Sequence, residues 1–154
     1  YVDVCISNEE DAKDVFGIEA EATDIYAGSL NHEGYKSVAK QLHDKFGFEM
    51  VAITLRESHS AFDNGWSAML FNAKTGEYCF SKKYDLHIID RVGGGDAFAS
   101  GLIYAMMHNY KPMDIVNFAV ASSAIKHTIR GDANITDDVS TIRNLMDMNF
   151  DIKR

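Results

Sequence analysis

With 154 residues, 46% of them hydrophobic and 25% charged, the chain has the length and apolar content of one folded unit with a real core, and nothing in its composition suggests disorder. A formal net charge of −8 opposes nucleic acid and anionic bilayers, so any phosphate has to be held locally by backbone dipoles or a metal. Cys5 and Cys79 lack both metal spacing and the density of a disulfide scaffold, which suits a reduced cytoplasmic protein, and no signal peptide or membrane-length apolar run is visible.

In chain order the pattern is α/β. Residues 1–6 read as a strand already under way without an initiating Met, so the chain is expected to begin inside a larger fold. Ser7-Asn8-Glu9-Glu10-Asp11 places a capping residue and three acids at the head of a short helix ending near Phe16-Gly17. Residues 18–30 read as a loop. From Asn31, the apolar positions Tyr35, Val38, Ala39, Leu42 and Phe46 mark one helix face, closed by Gly47. Residues 50–55 form a buried strand bounded by Arg56-Glu57-Ser58, and residues 67–72 and 77–82 form a hairpin around Lys74-Thr75-Gly76. A strand over 86–89 leads into Asp90-Arg91-Val92-Gly93-Gly94-Gly95-Asp96-Ala97-Phe98 and a buried helix to about Asn109. Pro112 opens a second helix to about Thr128, and residues 137–146 form a closing one. Strands alternating with helices predict a largely parallel sheet with ligands at the carboxyl ends of its strands.

The triple glycine is the centre of this pattern. It lies between a strand and a helix, where unpaired first-turn amides and the positive end of the helix dipole suit a phosphate, and where missing Cβ atoms permit close approach. Asp96, a carboxylate at the mouth of an anion site, either caps the helix or does chemistry. Asn8 and Asp11 read as an acidic helix start or as oxygen donors to a hydrated Mg²⁺. Thr54, Arg56 and Ser58 read as a polar turn or as contacts to a nucleotide. Ala119, Ala121, Ser122, Ser123 and Ala124 read as a close helix contact or as a slot for a flat base, with His127 nearby. The other histidines, His32, His43, His59, His87 and His108, show no ligand spacing.

Residues 90–98 resemble the C-terminal signature of the ribokinase-like (PfkB) carbohydrate kinases, Asp-x-x-Gly-Ala-Gly-Asp-x-Phe, with Gly94 in place of Ala. Asn8-Glu9-Glu10-Asp11 resembles the family's Asn-x-x-Glu element, with Asp11 one methylene shorter than Glu. Thr54-Leu55-Arg56 resembles its Thr-x-Gly element, with Arg56 replacing glycine, and residues 125–132 resemble its adenine-side helix and loop. These matches span nearly the whole chain in the family's order. Asp-Arg-Val-Gly-Gly-Gly-Asp together with Thr-Leu-Arg-Glu-Ser is most similar to the 2-keto-3-deoxygluconate kinases. The resemblance implies a three-layer α/β/α ribokinase-like fold, of which residues 1–154 are the C-terminal nucleotide-binding and catalytic portion. The N-terminal half, its β-sheet lid, most sugar contacts and any self-association through that lid then lie outside this chain, and the chain alone is expected to turn over little or nothing.

The resemblance further implies ATP and Mg²⁺ as cofactors and a sugar or sugar acid as substrate. Asp96 is the base for the acceptor hydroxyl; the amides of Gly93, Gly94 and Gly95 form the anion hole with that of Asp96. Asn8 and Asp11 hold Mg²⁺ through water. Thr54, Arg56, Ser58, Ser123 and His127 contact the nucleotide, and Arg91 either neutralises a sugar-acid carboxylate or serves as a surface or ion-paired arginine. Asp90, with the backbone near Val92 and Gly131, holds a monovalent cation such as K⁺. Two readings of other classes compete. A dinucleotide-binding oxidoreductase lacks support in the glycine spacing, which is not Gly-x-Gly-x-x-Gly and falls late in the chain. A non-catalytic nucleotide-binding scaffold would keep the fold without the reaction.

Overall fold

The computed structural model describes residues 1–18, 32–136 and 138–148. Among them the elements run β1 (Val4–Asn8), α1 (Glu9–Phe16), α2 (His32–Phe46), β2 (Met50–Ser58), β3 (Asp63–Asn72), β4 (Glu77–Phe80), β5 (Tyr84–His87), α3 (Gly94–Met107), α4 (Pro112–His127) and α5 (Val139–Asp147). The loop expected over 18–30 and the helix start at Asn31 lie, apart from Ile18, outside the described residues, as does Asp137. The closing helix is capped by Asp138, whose side chain accepts from the Ser140 and Thr141 amides.

The sheet is mixed. β1 pairs in parallel with β2, setting Asn8 opposite Thr54, while β3 pairs antiparallel with β2, β4 and β5. The parallel character expected of the whole sheet is therefore confined, among the described pairings, to the β1–α1–α2–β2 crossover. Residues 59–62 and 73–76 are too short to carry a chain back to the same end of the sheet, so the strands they join must reverse. β5 runs antiparallel to β3 and so points the same way as β1 and β2. The carboxyl ends of these three strands share one edge of the sheet, where the heads of α1 and α3 also lie.

Two strands are longer than their polar ends suggest. β2 continues through Arg56-Glu57-Ser58 and β3 begins at Asp63, because the ladder extends to Arg56 opposite Trp66 and Ser58 opposite Asn64. β5 covers 84–87 where 86–89 was expected. Ile88 and Ile89 still donate backbone hydrogen bonds, but to Phe62 and His127 at 2.7 and 2.8 Å.

Alternation along β2 and β3 splits the core between two faces. Val51, Ile53, Leu55, Met69 and Phe71 pack under α1 and α2 with Ala12, Val38, Ala39 and Leu42. On the other face Ala52, Ala68 and Leu70 meet Phe98 and Leu102 of α3 and Phe118, Ala119 and Val120 of α4, with α5 packed outside. The arrangement is three layers, α/β/α. Each fully buried Phe or Leu contributes about 1.5–3 kcal/mol. α3 and α4 approach closely at Gly101, where a Cβ would lie 3.1 Å from the Ala119 Cα. This contact sets the head of α3 over the end of α4.

Candidate active site

The residues after β5 are fastened from below. The Ile89 and Asp90 amides both donate to the His127 carbonyl, at 2.8 and 3.3 Å. Asp90 accepts from the Val92 amide at 3.1 Å through Oδ1 and from the Gly131 amide at 2.8 Å through Oδ2. The Gly131 amide, followed by that of Val92, holds the Asp90 carboxyl below its usual range. Asp90 therefore staples the glycine turn to the loop after α4.

The three glycines meet three environments. Gly93 is the N-cap of α3 with φ +80°, and a Cβ there would stand 1.9 Å from the Asp132 carbonyl oxygen. Gly94 is buried, and its Cβ would stand 2.6 Å from the His127 ring. Gly95 is exposed with open space where a Cβ would be. Gly94 donates to the Arg91 carbonyl at 3.2 Å, so of the expected anion-hole amides this one is engaged. Among the described residues the Gly95 and Asp96 amides meet no acceptor. They carry the helix's partial positive charge outward. Asp96 is exposed in the first turn of α3. No side-chain hydrogen bond caps this helix, so the capping alternative for Asp96 is set aside.

Ser123 and His127 were expected against a nucleotide base, but the structure places both beneath the turn. Ser123, 0% exposed, donates its hydroxyl to the Gly94 carbonyl at 2.8 Å. His127, 4% exposed, has Nδ1 at 2.7 Å from the Ser123 carbonyl, which assigns the proton to Nδ1. Its ring packs on Trp66 with centroids 4.7 Å apart. Burial pushes the His127 pKa down, outweighing the opposing hydrogen bond to the Ser123 carbonyl, with lesser lowering contributions from Lys126 and Arg91. The small residues of α4 permit this closeness, in keeping with the helix-contact reading.

Thr54, Arg56 and Ser58 occupy alternate positions of β2, not a turn after it, and so share the sheet face of Ala52 that carries α3 and α4. Arg56 is exposed and lies opposite Trp66, while the Ser58 hydroxyl donates to Asn64 Oδ1 at 3.4 Å. Arg91 is exposed, and its guanidinium donates to the Ala61 carbonyl at 2.6 Å, tying the turn to the β2–β3 loop.

Asn8 and Asp11 form a reciprocal capping box at the head of α1: Asn8 Oδ1 accepts from the Asp11 amide at 2.7 Å, and Asp11 Oδ2 from the Asn8 amide at 3.1 Å. Asp11 is exposed, and its Oδ1 makes no hydrogen bond among the described residues. A hard oxygen donor of this kind fits Mg²⁺ held through water. No cluster of three or more His, Cys, Asp or Glu side chains able to hold a metal occurs among the described residues. Nor is any described helix long and apolar enough to cross a membrane.

Sequence reasoning did not single out Lys126. It is fully buried beside Gly93, and its only signal was a charged residue inside an otherwise apolar and small helix segment.

The pfkB family carbohydrate kinase description matches residues 1–138. The chain is 43% identical to a 2-dehydro-3-deoxygluconokinase from Thermotoga maritima, with TM-score 0.84 over 95% of this chain and 41% of that one. It is 28% identical to a putative 2-keto-3-deoxygluconate kinase from Enterococcus faecalis, with TM-score 0.76 over 99% of this chain and 42% of that one. It is also 24% identical over 147 residues to an ATP-dependent 6-phosphofructokinase from Thermoanaerobacterium thermosaccharolyticum, covering 96% of this chain but 38% of that protein. The chain thus spans about two-fifths of the length of these relatives. Its layered α/β/α arrangement is ribokinase-like. From the glycine turn outward, fold and sequence agree, and the chain belongs to the pfkB family of carbohydrate kinases.

Proposed function

We propose that the complete protein transfers the terminal phosphoryl group of ATP to a hydroxyl of a sugar acid, with 2-keto-3-deoxygluconate giving its 6-phosphate. The observation that carries this reading is the head of α3: two unpaired amides, an open approach at Gly95, and an exposed carboxylate in the same turn. The Gly95 and Asp96 amides bind the terminal phosphate oxygens and stabilise the charge that grows on them during transfer. Asp96 receives the acceptor hydroxyl's proton as the new O–P bond forms and the bond to ADP breaks. In a loose transition state that proton leaves late, so a weak base suffices.

Asn8 and Asp11 are the residues that would hold Mg²⁺ through water; the ion's contribution is to offset phosphate charge. Thr54, Arg56 and Ser58 face the same layer and serve the nucleotide from β2. Arg91 keeps further N–H donors beyond the one given to Ala61 and supplies a counter-charge for a sugar-acid carboxylate. The sugar-acid assignment rests on the 43% identity to the Thermotoga maritima kinase. The free thiols Cys5 and Cys79 and the need for ATP support a cytoplasmic setting.

The test is ADP release by the full-length protein with ATP, Mg²⁺ and a panel of sugars and sugar acids. Preference for 2-keto-3-deoxygluconate supports the assignment, a different preferred sugar revises the substrate alone, and silence across the panel removes the catalytic reading.

A further inference from the structure

We propose that the buried Lys126 ammonium is the built-in cation of the α3 anion site, standing where a monovalent metal ion was expected, so that phosphoryl transfer by this protein needs no K⁺. The inference rests on the kinase reading above and concerns which positive charge supports it.

Lys126 is 0% exposed. Lysine is almost never fully buried without a compensating arrangement, because removing an ammonium from water is costly. Here Nζ donates to the Ile129 carbonyl at 3.1 Å. The Cε lies 3.2 Å from where a Gly93 Cβ would be, and that same position abuts the Asp132 carbonyl. The ammonium thus sits between the glycine turn and residues 129–132, the two segments that Asp90 staples together.

Of the expected metal donors, the Asp90 carboxylate is already engaged. Its two oxygens each accept one backbone amide, which fixes the carboxylate on the turn and the 129–132 loop, the segments between which the Lys126 ammonium lies. The place a monovalent ion would take is therefore filled by the Lys126 ammonium, and the charge K⁺ would supply is covalently attached. A dull alternative is that Lys126 only compensates the carbonyls at the end of α4. That role gives stability without a link to phosphate or to monovalent ions.

The two are separable in the complete enzyme, assayed in tetramethylammonium chloride and in KCl at equal ionic strength. Wild-type turnover should stay unchanged within about twofold between the salts. Lys126→Ala, which removes the charge and leaves space, should lose at least about tenfold in tetramethylammonium and recover most of it in K⁺ or NH₄⁺. Lys126→Met fills the space without charge and should not recover. Calorimetric titration with MgADP supplies a readout apart from activity: wild-type affinity indifferent to the salt, Lys126→Ala affinity weakened and restored by K⁺. Strong K⁺ stimulation of the wild type overturns the inference, and so does a folded Lys126→Ala enzyme that no monovalent ion rescues in either assay. Should Lys126→Ala not fold, the salt response of wild-type ADP binding decides. An enzyme that phosphorylates no sugar in either salt refutes the kinase reading, whereas the MgADP titration still judges the role of Lys126.

Discussion

The Ser123 hydroxyl donates to the Gly94 carbonyl at 2.8 Å, fixing the first residue of α3 to the C-terminal third of α4 across 29 positions of sequence. Because His127 is held in turn by the Ser123 carbonyl and abuts Gly94, the glycine turn rests on a platform built by one helix. The head of α3 is placed by α4 as much as by its own residues.

This platform predicts different outcomes at the three glycines. Gly93→Ala meets both a positive φ and a backbone oxygen at 1.9 Å, and should destabilise by about 1–3 kcal/mol or more as the 129–132 loop shifts. Gly94→Ala drives a methyl into the His127 ring and should also lower stability. Gly95→Ala has open space and should hold or gain stability, by up to about 1 kcal/mol of helix propensity, while turnover falls because the methyl obstructs the phosphate. Urea midpoints and kcat for the series are the check. Equal stability losses at all three positions would contradict the assigned environments.

Asp96→Asn should cut turnover by about 10²-fold or more in the complete enzyme, with ATP affinity held within about threefold. Its melting temperature should not move, because Asp96 caps nothing and stands exposed. Near-normal turnover would take Asp96 out of the base role. A large fall in melting temperature would mean that the side chain does structural work.

The capping box at Asn8 and Asp11 predicts a coupled effect. Asn8→Ala should cost about 1 kcal/mol of stability and also raise the Mg²⁺ concentration needed for half-maximal rate. If stability falls while the Mg²⁺ dependence stays fixed, the pair is a helix start and nothing more.

The sequence made the glycine turn, Asp96 and the helix patterns legible because each is local. A missing Cβ, an acid in a first turn, and apolar residues at helical spacing act within a few positions of themselves. Strand direction was less legible. Antiparallel return follows from the lengths of connections whose ends cannot be placed until Arg56 is known to pair with Trp66. The duties of Ser123, His127 and Lys126 were hidden for the same reason: their partners, Gly94, Trp66 and Gly93, come from distant segments. A small polar residue on a helix reads alike whether it faces a ligand or another helix.

The neutral His127 predicts an acid-sensitive fold. Its pKa lies below the ordinary 6.5, chiefly because burial disfavours the charged ring. The unfolded chain therefore binds a proton at this residue more readily than the folded one. Its stabilising contribution is complete above about pH 6.5 and fades as the pH falls from there through the lower folded value. Asp90 has the same sign in a more acidic window: its contribution is present above the ordinary 3.8 and is lost as pH drops below that toward the depressed folded value. Urea midpoints measured from about pH 7.5 to about pH 5 should decline for the wild type. They should decline less steeply for His127→Gln, which cannot titrate in this range. The variant will start lower, because it loses the ring contact with Trp66, so the slopes and not the absolute values carry the comparison. Parallel slopes would mean that His127 titrates alike in folded and unfolded chains, and its burial beneath Gly94 would then have no electrostatic consequence.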